Sequence, residues 1–289
     1  MSPRFVNTLV DVYTMNHTDN DSGFVGSIPQ LYERYMVPLM FETYAGDLAT
    51  RVARYAPARV LEIAAGTGVL TRQLACDLPP SVSIVATDLN QPMLDHAAAI
   101  GTSRPVEWRQ ADVMQLPFPD KAFDVVACQF GVMFFPDKAK AYSEVRRVLR
   151  PGGWFVFNVW DRIDQNEFAD TVDQALQSLF PEDPPRFMAR VPHGYHDAAE
   201  IARDLARGGF GRVSEYTTVP ARSRAESPRI PAIAICQGTP VRSEIEARGL
   251  ARLAEATDVV TATIARRFGT GPVDGKIQAH VVTSGSLAH

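Results

Sequence analysis

A loop with two closely spaced glycines is the first feature of this sequence that could carry chemistry. The mostly apolar residues 60–63 predict a short buried strand, Gly66 and Gly68 follow it, and residues 69–74 then place apolar side chains at helical spacing. Strand, glycine turn and helix form the first half of a nucleotide-binding βαβ unit. Glycine is useful in such a turn because it tolerates positive φ angles and lets a ligand approach the backbone closely.

The spacing around these glycines separates two kinds of nucleotide site. A dinucleotide site has the pattern G-x-G-x-x-G/A, but Thr71 stands where the third small residue would be. The pattern acidic-x-G-x-G-x-G fits better, with Glu62 as the acid, Ala64 in place of the first glycine, and Gly66 and Gly68 in the remaining positions. The loop therefore favours a nucleotide site of another kind over a dinucleotide site.

Two carboxylates stand at the ends of the next two predicted strands. Residues 82–88 predict a buried strand ending in Asp88, about twenty residues after the glycines, where a carboxylate can accept hydrogen bonds from both ribose hydroxyls of an adenosine. Alternatively, Asp88 or Asn90 could cap the helix that follows. Residues 106–113 predict a third strand that ends at Asp112. Because parallel strands bring their carboxyl ends to one edge of a sheet, the loop and both carboxylates should lie together.

Two longer sequence segments complete the pattern, LPFPDKAFDVVAC at residues 116–128 and EVRRVLRPGGWFVF at residues 144–157. With the glycine loop and the two carboxylates in this order, the chain resembles the class I S-adenosylmethionine (SAM)-dependent methyltransferases, and among them the small-molecule branch of the ubiquinone/menaquinone-biosynthesis type. The resemblance covers residues 31–160. It implies that the cofactor is S-adenosyl-L-methionine, that S-adenosyl-L-homocysteine is the product, and that the partner is a small-molecule acceptor.

The alternation of strands and helices over residues 59–159 predicts a parallel sheet with helices on both faces. The resemblance adds that this α/β fold is Rossmann-like, with a seven-stranded, mostly parallel sheet whose last strand is antiparallel. It also divides the chain into an N-terminal arm and helical cap, residues 1–56, and a SAM-binding methyltransferase domain, residues 57–289. An insertion or lid is expected after strand five, at about residues 161–197.

The resemblance assigns the cofactor site to the carboxyl ends of the strands. In the resembled family the glycine loop surrounds the methionine part of the cofactor, and the third-strand acid or the amide beside it meets the adenine amino group. The expected cofactor contacts are Glu62, Ala64, Gly66, Gly68, Asp88, Leu89, Asp112, Val113 and Gln129. The N-terminal helices of the family cover the cofactor and help to shape the acceptor pocket, so Tyr32, Tyr35 and Phe41 are expected pocket residues. Met133 and Phe134, in the segment after the fourth strand, are also expected there.

The segment after the fourth strand, residues 129–136, is almost wholly apolar and lies where the transferred methyl group points in this fold. Such a lining suits an apolar or aromatic acceptor, with O- or C-methylation favoured. A general base is needed only where the acceptor must lose a proton, and His193, His196 and the intervening Tyr195 are the candidates. His196 could instead belong to the cap of the helix that begins at Asp197.

Composition argues against several other classes of protein. A net charge of −4 and a pI near 5.9 argue against a nucleic-acid surface, and no apolar run approaches the length of a membrane span. Residues 1–20 show no secretion signal, and three dispersed cysteines predict reduced thiols in a cytoplasmic protein without a metal site. The sequence leaves the oligomeric state open, a dimer included.

Two other functions compete with a methyltransferase. An NAD-dependent oxidoreductase would use a similar sheet, but the sequence lacks both the third small residue of the dinucleotide loop and a Tyr-x-x-x-Lys pair. A partner subunit that binds SAM without catalysing transfer would show the same loop. The intact carboxylates Asp88 and Asp112 favour an active enzyme over such a subunit.

Overall fold

The computed structural model describes residues 28–211 and 213–286. Residues 1–27, at the start of the expected N-terminal arm and helical cap, residue 212 and residues 287–289 lie outside these described residues. The strands are β1 (Arg59–Glu62), β2 (Ser83–Asp88), β3 (Glu107–Gln110), β4 (Phe123–Gln129), β5 (Leu149–Trp160), β6 (Val213–Ala225) and β7 (Val273–Gly285). They form one seven-stranded sheet in the order β3-β2-β1-β4-β5-β7-β6.

The pairing of the strands confirms the predicted topology. Strands β1 to β5 pair parallel with their neighbours, and β7 lies antiparallel between β5 and β6. The last two strands are longer than their apolar patterns indicate, since the sequence predicts strands at residues 210–219 and 277–283. They pair with each other from Val213 opposite Ser284 to Ala225 opposite Val273, and this ladder carries both strands past the ends of their apolar stretches.

Helices cover both faces of the sheet. Along the chain they are α1 (Ile28–Leu31), a π-helix (Tyr32–Phe41), α2 (Glu42–Ala53), α3 (Val69–Asp77), α4 (Gln91–Ile100), α5 (Lys138–Val148), α6 (Glu167–Leu179), α7 (Phe187–Arg190), α8 (Ala198–Arg207), α9 (Arg229–Gly238), α10 (Val241–Glu246) and α11 (Arg252–Phe268). Within the described ranges, none of these helices is long and apolar enough to cross a membrane.

The π-helix follows from its sequence. Pro38 lies inside it and has no N–H to donate to the carbonyl four residues earlier, so an ordinary α-helical ladder would be interrupted there. At its end the backbone N–H of Glu42 donates to the carbonyl of Val37, five residues earlier, which is the π-helical spacing. This winding places Tyr32, Met36, Met40 and Phe41 along one wall of a cavity described below.

Two apolar cores lie on the two faces of the sheet. The alternation of β5 directs Phe155 and Phe157 into the larger core and Val156 into the smaller one, and all three side chains are fully buried. Truncation of either phenylalanine to alanine should cost about 3–5 kcal/mol of stability. The carboxyl ends of the strands, where the expected cofactor contacts lie, are therefore supported by tightly packed side chains on both faces of the sheet.

Candidate active site

The loop after β1 runs through three left-handed residues. Gly66 and Gly68 have φ angles of +57° and +82°, and Ala64 has a φ angle of +54°. For alanine this conformation costs about 1–2 kcal/mol, so the alanine that replaces the usual glycine keeps the path of the loop under strain. At Gly68 an added Cβ would lie only 2.8 Å from the ring of Trp108, so no larger residue fits without a shift.

Glu62 lies behind this loop and does not line the cavity in front of it. Its carboxyl group accepts a 2.6 Å hydrogen bond from the Thr71 hydroxyl, and its backbone carbonyl accepts one of 3.0 Å from the Thr87 hydroxyl. Burial raises the pKa of Glu62 to about 8, since the charged form loses its hydration. The raised pKa favours the protonated form near neutral pH, and Glu62 braces the loop from within; its side chain is not part of the wall of the cavity in front of the loop.

Asp88 joins the loop after β1 to the loop after β2. Its carboxylate accepts 2.8 Å hydrogen bonds from the backbone N–H groups of Gly66 and Asn90. Burial raises the pKa of Asp88, and these hydrogen bonds oppose that rise because they stabilise the charged form. The hydrogen bond from Asn90 closes a local turn. Asn90, and not Asp88, occupies the N-cap position of α4, and its side chain makes no capping hydrogen bond.

A cavity of about 830 Å³, including its open mouth, lies in front of these loops. Of the nine expected cofactor contacts, the structure brings seven to its wall: Ala64, Gly66, Asp88, Leu89, Asp112, Val113 and Gln129. Gly68, like Glu62, lies outside the wall. We call this space the cofactor cavity.

Two polar side chains of the cofactor cavity keep acceptor capacity for a ligand. One carboxylate oxygen of Asp112 accepts a 2.8 Å hydrogen bond from the backbone N–H of Met114, which orients the side chain. Gln129 donates weakly from Nε2 to the backbone carbonyl of Phe41, at 3.5 Å, while its buried Oε1 has no partner among the described residues. A buried acceptor without a donor is costly, so a ligand with an N–H group would stabilise it.

A second cavity of about 440 Å³, including its open mouth, adjoins the first and is lined by apolar and aromatic side chains. Its wall consists of Tyr32, Met36, Met40, Phe41, Phe130, Phe134, Trp160, Phe187, Met188, Pro192 and Thr239. Tyr32, Phe130 and Phe134 line both cavities, so the two spaces meet at these rings. We call the second space the acceptor chamber.

Three of the five expected pocket residues line the acceptor chamber, namely Tyr32, Phe41 and Phe134. The other two do not. Tyr35 is half-buried and packs against the larger core, with the guanidinium of Arg34 5.1 Å from its ring centre. Met133 turns into the larger core, because the short helix at Val132–Phe134 directs neighbouring side chains to different sides.

Phe130 is the ring between the two cavities; it belongs to the apolar segment expected near the methyl group, although it is not among the expected pocket residues. It has a φ angle of +50°, and its backbone N–H donates a 2.8 Å hydrogen bond to Oδ1 of the fully buried Asn158. Its ring stacks on Trp160 with the ring centres 3.8 Å apart and an angle of 7° between the planes. Because Phe130 directly follows β4 and Asn158 and Trp160 lie at the end of the paired strand β5, sheet pairing assembles this cluster.

The π-helix is held onto the glycine loop by an ion pair. Arg72 of α3 donates a 2.6 Å hydrogen bond to the carboxylate of Glu33 and one of 2.7 Å to the backbone carbonyl of Thr67. Both side chains of the pair are about three-quarters buried or more. This contact fixes Tyr32, the neighbour of Glu33, at the junction of the two cavities.

Among the three base candidates, His193 has the geometry of a proton acceptor. Its Nδ1 lies 2.8 Å from the backbone carbonyl of Asp161, which can only accept, so Nδ1 carries the hydrogen. Nε2 therefore holds a lone pair, and it is buried without a partner among the described residues. Burial lowers the pKa of His193 to about 4, so the ring is neutral. It lies behind the chamber wall, with its ring centre 6.0 Å from that of Trp160.

The other two candidates face elsewhere. The Tyr195 hydroxyl lies 3.3 Å from that of Tyr142 and donates to the Asp204 carboxylate at 3.1 Å, outside both cavities. The half-buried His196 makes a 3.0 Å hydrogen bond to the backbone carbonyl of His193. Asp197 caps α8 by accepting from the backbone N–H of Glu200. The structure thus brings neither Tyr195 nor His196 to the chamber wall.

Comparison with known proteins identifies the family. The family model of the methyltransferase domain matches residues 61–157. The ubiquinone/menaquinone biosynthesis C-methyltransferase UbiE of Stutzerimonas stutzeri is 30% identical over 204 residues, which cover 66% of this chain and 75% of that protein. The chain is a class I SAM-dependent methyltransferase of the ubiquinone/menaquinone type. The demethylmenaquinone methyltransferase of Thermus thermophilus is 44% identical over 120 residues, or 41% of this methyltransferase and 53% of its relative.

Solved structures show the same fold. The [4+2]-cyclase SpnF aligns with a TM-score of 0.55 at 18% identity, over 86% of this methyltransferase and 82% of the cyclase. At such low identity the likeness shows the fold alone, and the sequence relatives identify the reaction. Neither an idle partner subunit nor an NAD-dependent oxidoreductase finds support among the relatives.

The residues of the cofactor cavity fit SAM. Asp88 would offer a carboxylate to the ribose hydroxyls, and the unpartnered Oε1 of Gln129 would suit the ammonium group of the methionine part. Leu89 and Val113 would provide apolar surface for the adenine ring. In residues 28–211 and 213–286 no group of three or more His, Cys, Asp or Glu side chains could hold a metal ion.

Proposed function

We propose that this methyltransferase methylates carbon or oxygen of an apolar, ring-containing small molecule held in the acceptor chamber. The observation that carries the proposal is the contact between the two cavities at Tyr32, Phe130 and Phe134. A ring compound in the chamber would lie against the aromatic wall and reach the methyl group across this junction. The relatives named for ubiquinone and menaquinone biosynthesis support a ring acceptor.

The cofactor contacts form part of the proposal. Asp88 would accept from the ribose, Asp112 or the amide of Val113 would meet the adenine amino group, and Gln129 would accept from the ammonium group. SAM supplies a methyl group that its positively charged sulfur already activates. The faces of Tyr32 and Phe130 at the junction would stabilise that positive charge by about 0.5–2 kcal/mol.

His193 is the proposed proton acceptor for acceptors that must lose a proton. As the methyl carbon leaves sulfur and bonds to a hydroxyl oxygen, the hydroxyl proton would pass to Nε2 of His193. Met188 and Pro192 stand in the chamber wall beside His193, whose backbone N–H donates to the carbonyl of Met188 at 3.0 Å. A small displacement of this wall would bring a hydroxyl group within reach of Nε2.

Two segments outside the alternating strands and helices would cover the site. Residues 28–56 would form the cap, since the π-helix lines both cavities, and residues 161–197 would form the lid, since α7 and Pro192 line the chamber. Of the cysteines, Cys128 and Cys236 are buried and Cys76 is exposed, all as free thiols. These thiols support a reducing, cytoplasmic setting as part of the proposal.

The test is transfer of isotopically labelled methyl from SAM to a pool of phenols, hydroquinones, thiols, amines and carboxylates, read by mass spectrometry. A hydrolase that removes S-adenosylhomocysteine would prevent product inhibition. We expect label on carbon or oxygen of ring compounds. Label on amines or carboxylates alone, or none with cofactor bound, would contradict the proposal.

A further inference from the structure

The acceptor chamber is too tightly closed to admit a ring compound without movement of a wall. Apart from its open mouth it has about 50 Å³ of free space, whereas a cavity that binds benzene in a well-studied protein of another family measures about 150 Å³. We propose that α7 is the wall that moves outward when an acceptor binds, and that Glu244 of α10 is the positioning residue that holds α7 inward. This inference rests on the proposed function, because it takes the chamber as the acceptor site.

The other walls are fixed to the sheet or to the glycine loop. One wall stands at the ends of β4 and β5, which lie inside the sheet and pair with each other. The π-helix is bound to β6, because the fully buried Ser223 hydroxyl donates to the Leu39 carbonyl at 2.7 Å. The pair between Glu33 and Arg72 binds the same helix to the glycine loop. Movement of either wall would therefore disturb the sheet or the cofactor site.

The wall made by α7 is a single turn of helix that a carboxylate holds from outside. Oε2 of Glu244 accepts the backbone N–H groups of Arg186 and Phe187, at 2.7 and 3.1 Å, and Oε1 accepts from the guanidinium of Arg190 at 3.1 Å. The two N–H groups stand at the start of the helix, where the helix itself supplies no acceptor. One side chain of α10 thus binds both ends of α7. Between these ends, Phe187 and Met188 are 1% and 4% exposed in the chamber wall.

These contacts can be released and formed again. The side chain of Glu244 is 21% exposed, so water can replace it as the acceptor when α7 moves away. Arg248, one turn further along the chain, pairs with the exposed carboxylate of Asp183 at 2.9 Å and also donates to the backbone carbonyl of Glu244. Charged groups near α10 therefore hold the segment from Asp183 to Arg190 against the rest of the fold.

The buried base candidate gives a second reason for this movement. Nε2 of His193 has no partner among the described residues and lies behind the wall to which Met188 and Pro192 belong. Outward displacement of Met188 with α7 would make room for a ring and would also expose this lone pair to a hydroxyl group of the acceptor. A single motion would therefore serve both binding and proton transfer.

The first experiment measures hydrogen exchange of the Arg186 and Phe187 amides in the wild-type enzyme with S-adenosylhomocysteine. The two samples differ in the presence of naphthohydroquinone, kept reduced and shown by calorimetry to be bound. We expect both amides to exchange at least about threefold faster with the compound, since they lose Glu244 as their acceptor, while amides of the π-helix keep their rates. Equal or slower exchange at both amides would overturn the inference and leave the proposed function intact. A compound that neither binds nor is methylated would count against both.

Substitutions on α10 separate the release of α7 from a general loss of stability. Glu244→Ala should lower the KM for naphthohydroquinone at least about threefold with kcat within about twofold of wild type, because the open position of α7 becomes more populated. Glu244→Gln keeps an oxygen for the two N–H groups and should give an intermediate KM. Glu246→Ala is the matched control, since Glu246 is 28% exposed on the same helix and pairs with Arg242 at 2.8 Å.

The outcomes of the kinetic experiment are distinct. We expect both alanine variants to melt below the wild type and only Glu244→Ala to change the KM. An unchanged or higher KM in folded Glu244→Ala enzyme, or an equal fall in Glu246→Ala, would overturn the role of Glu244. The exchange experiment on the wild type stands even if a variant fails to fold.

Discussion

Replacement of Asn158 by alanine tests whether one buried amide positions the ring between the two cavities. The Oδ1 atom of Asn158 accepts the backbone N–H of Phe130, which holds that residue at a φ angle of +50°. Alanine removes the acceptor and leaves the side chains of both cavities unchanged. The variant therefore tests the position of the Phe130 ring while leaving the ring itself unchanged.

The magnitude follows from three opposing contributions. A buried N–H without a partner costs about 1–3 kcal/mol, and the left-handed conformation costs Phe130 about 1–2 kcal/mol more. The stack on Trp160 offsets only about 0.5–1.5 kcal/mol of this. The strain and the stack are present with or without Asn158 and roughly cancel, so the change is the unpaired N–H, about 1–3 kcal/mol, which corresponds to a fall of about fivefold or more in kcat/KM for the acceptor.

The assay combines acceptor kinetics, thermal unfolding and calorimetric binding of S-adenosylhomocysteine. Thr257→Ala is the control, because Thr257 is also fully buried and its hydroxyl accepts a 3.0 Å hydrogen bond from the Gln237 side chain, outside both cavity walls. We expect both variants to lose stability and only Asn158→Ala to lose acceptor kcat/KM. An Asn158→Ala enzyme within threefold of wild type would refute the reasoning.

Four further substitutions probe the loops and the base. Asp88→Asn should weaken S-adenosylhomocysteine at least about tenfold by calorimetry, because hydrogen bonds to a charged group contribute about 1.5–3 kcal/mol. Glu62→Gln should flatten the pH dependence of stability. The folded-state pKa of Glu62, about 8, lies above its ordinary value of 4.5, so the stability of the wild type falls as the pH rises between these two values. The variant should therefore have a higher melting temperature than the wild type at pH 8. Gly68→Ala should lower the melting temperature through the contact with Trp108. His193→Asn should slow O-methylation of phenols at least about tenfold and leave S-adenosylhomocysteine affinity unchanged.

Two of these substitutions have a comparison within the chain, and the other two have an outcome that would contradict them. Asp95→Asn removes an exposed carboxylate of α4 and should not alter cofactor affinity. Gly66→Ala introduces the same left-handed strain as Gly68→Ala, but its Cβ would meet only Met93 Cε at 3.6 Å, so it should cost less stability. Unchanged melting at pH 8 for Glu62→Gln would show that the buried carboxyl is not protonated. Equal rates for wild type and His193→Asn would remove His193 from the reaction.

The cofactor cavity could be predicted from the sequence because its parts are local. A glycine loop and the residues after β2, β3 and β4 reach one edge of the sheet through strand pairing alone, so seven of nine expected contacts line the wall. Glu62 is the informative exception. Its place in the motif indicates a ligand contact, but its side chain turns back to Thr71, and only the packing of α3 on the sheet shows this.

The acceptor chamber could be predicted only in part, since its wall comes from distant segments. Phe130 and Trp160 meet through pairing of β4 and β5, and Thr239 arrives from α9, far along the chain. Neighbouring residues also separate in space: His193 lies behind the wall, while Tyr195, two positions later, bonds to Tyr142 and Asp204. Sequence proximity to a candidate base therefore carried little information about which side chain would face the site.

The division of the chamber wall has a consequence for how such enzymes diversify. Phe130, Phe134 and Trp160 come from the strand ends that also serve the cofactor, whereas the other eight lining residues come from the π-helix, α7 with Pro192, and Thr239. Mutations in α7, at Pro192 or at Thr239 can reshape selectivity without contacting Asp88 or the glycine loop. The π-helix is different, because Glu33 binds Arg72, which also holds the glycine loop at Thr67. Exchange of the segment around α7 between homologues is thus a direct route to new acceptors.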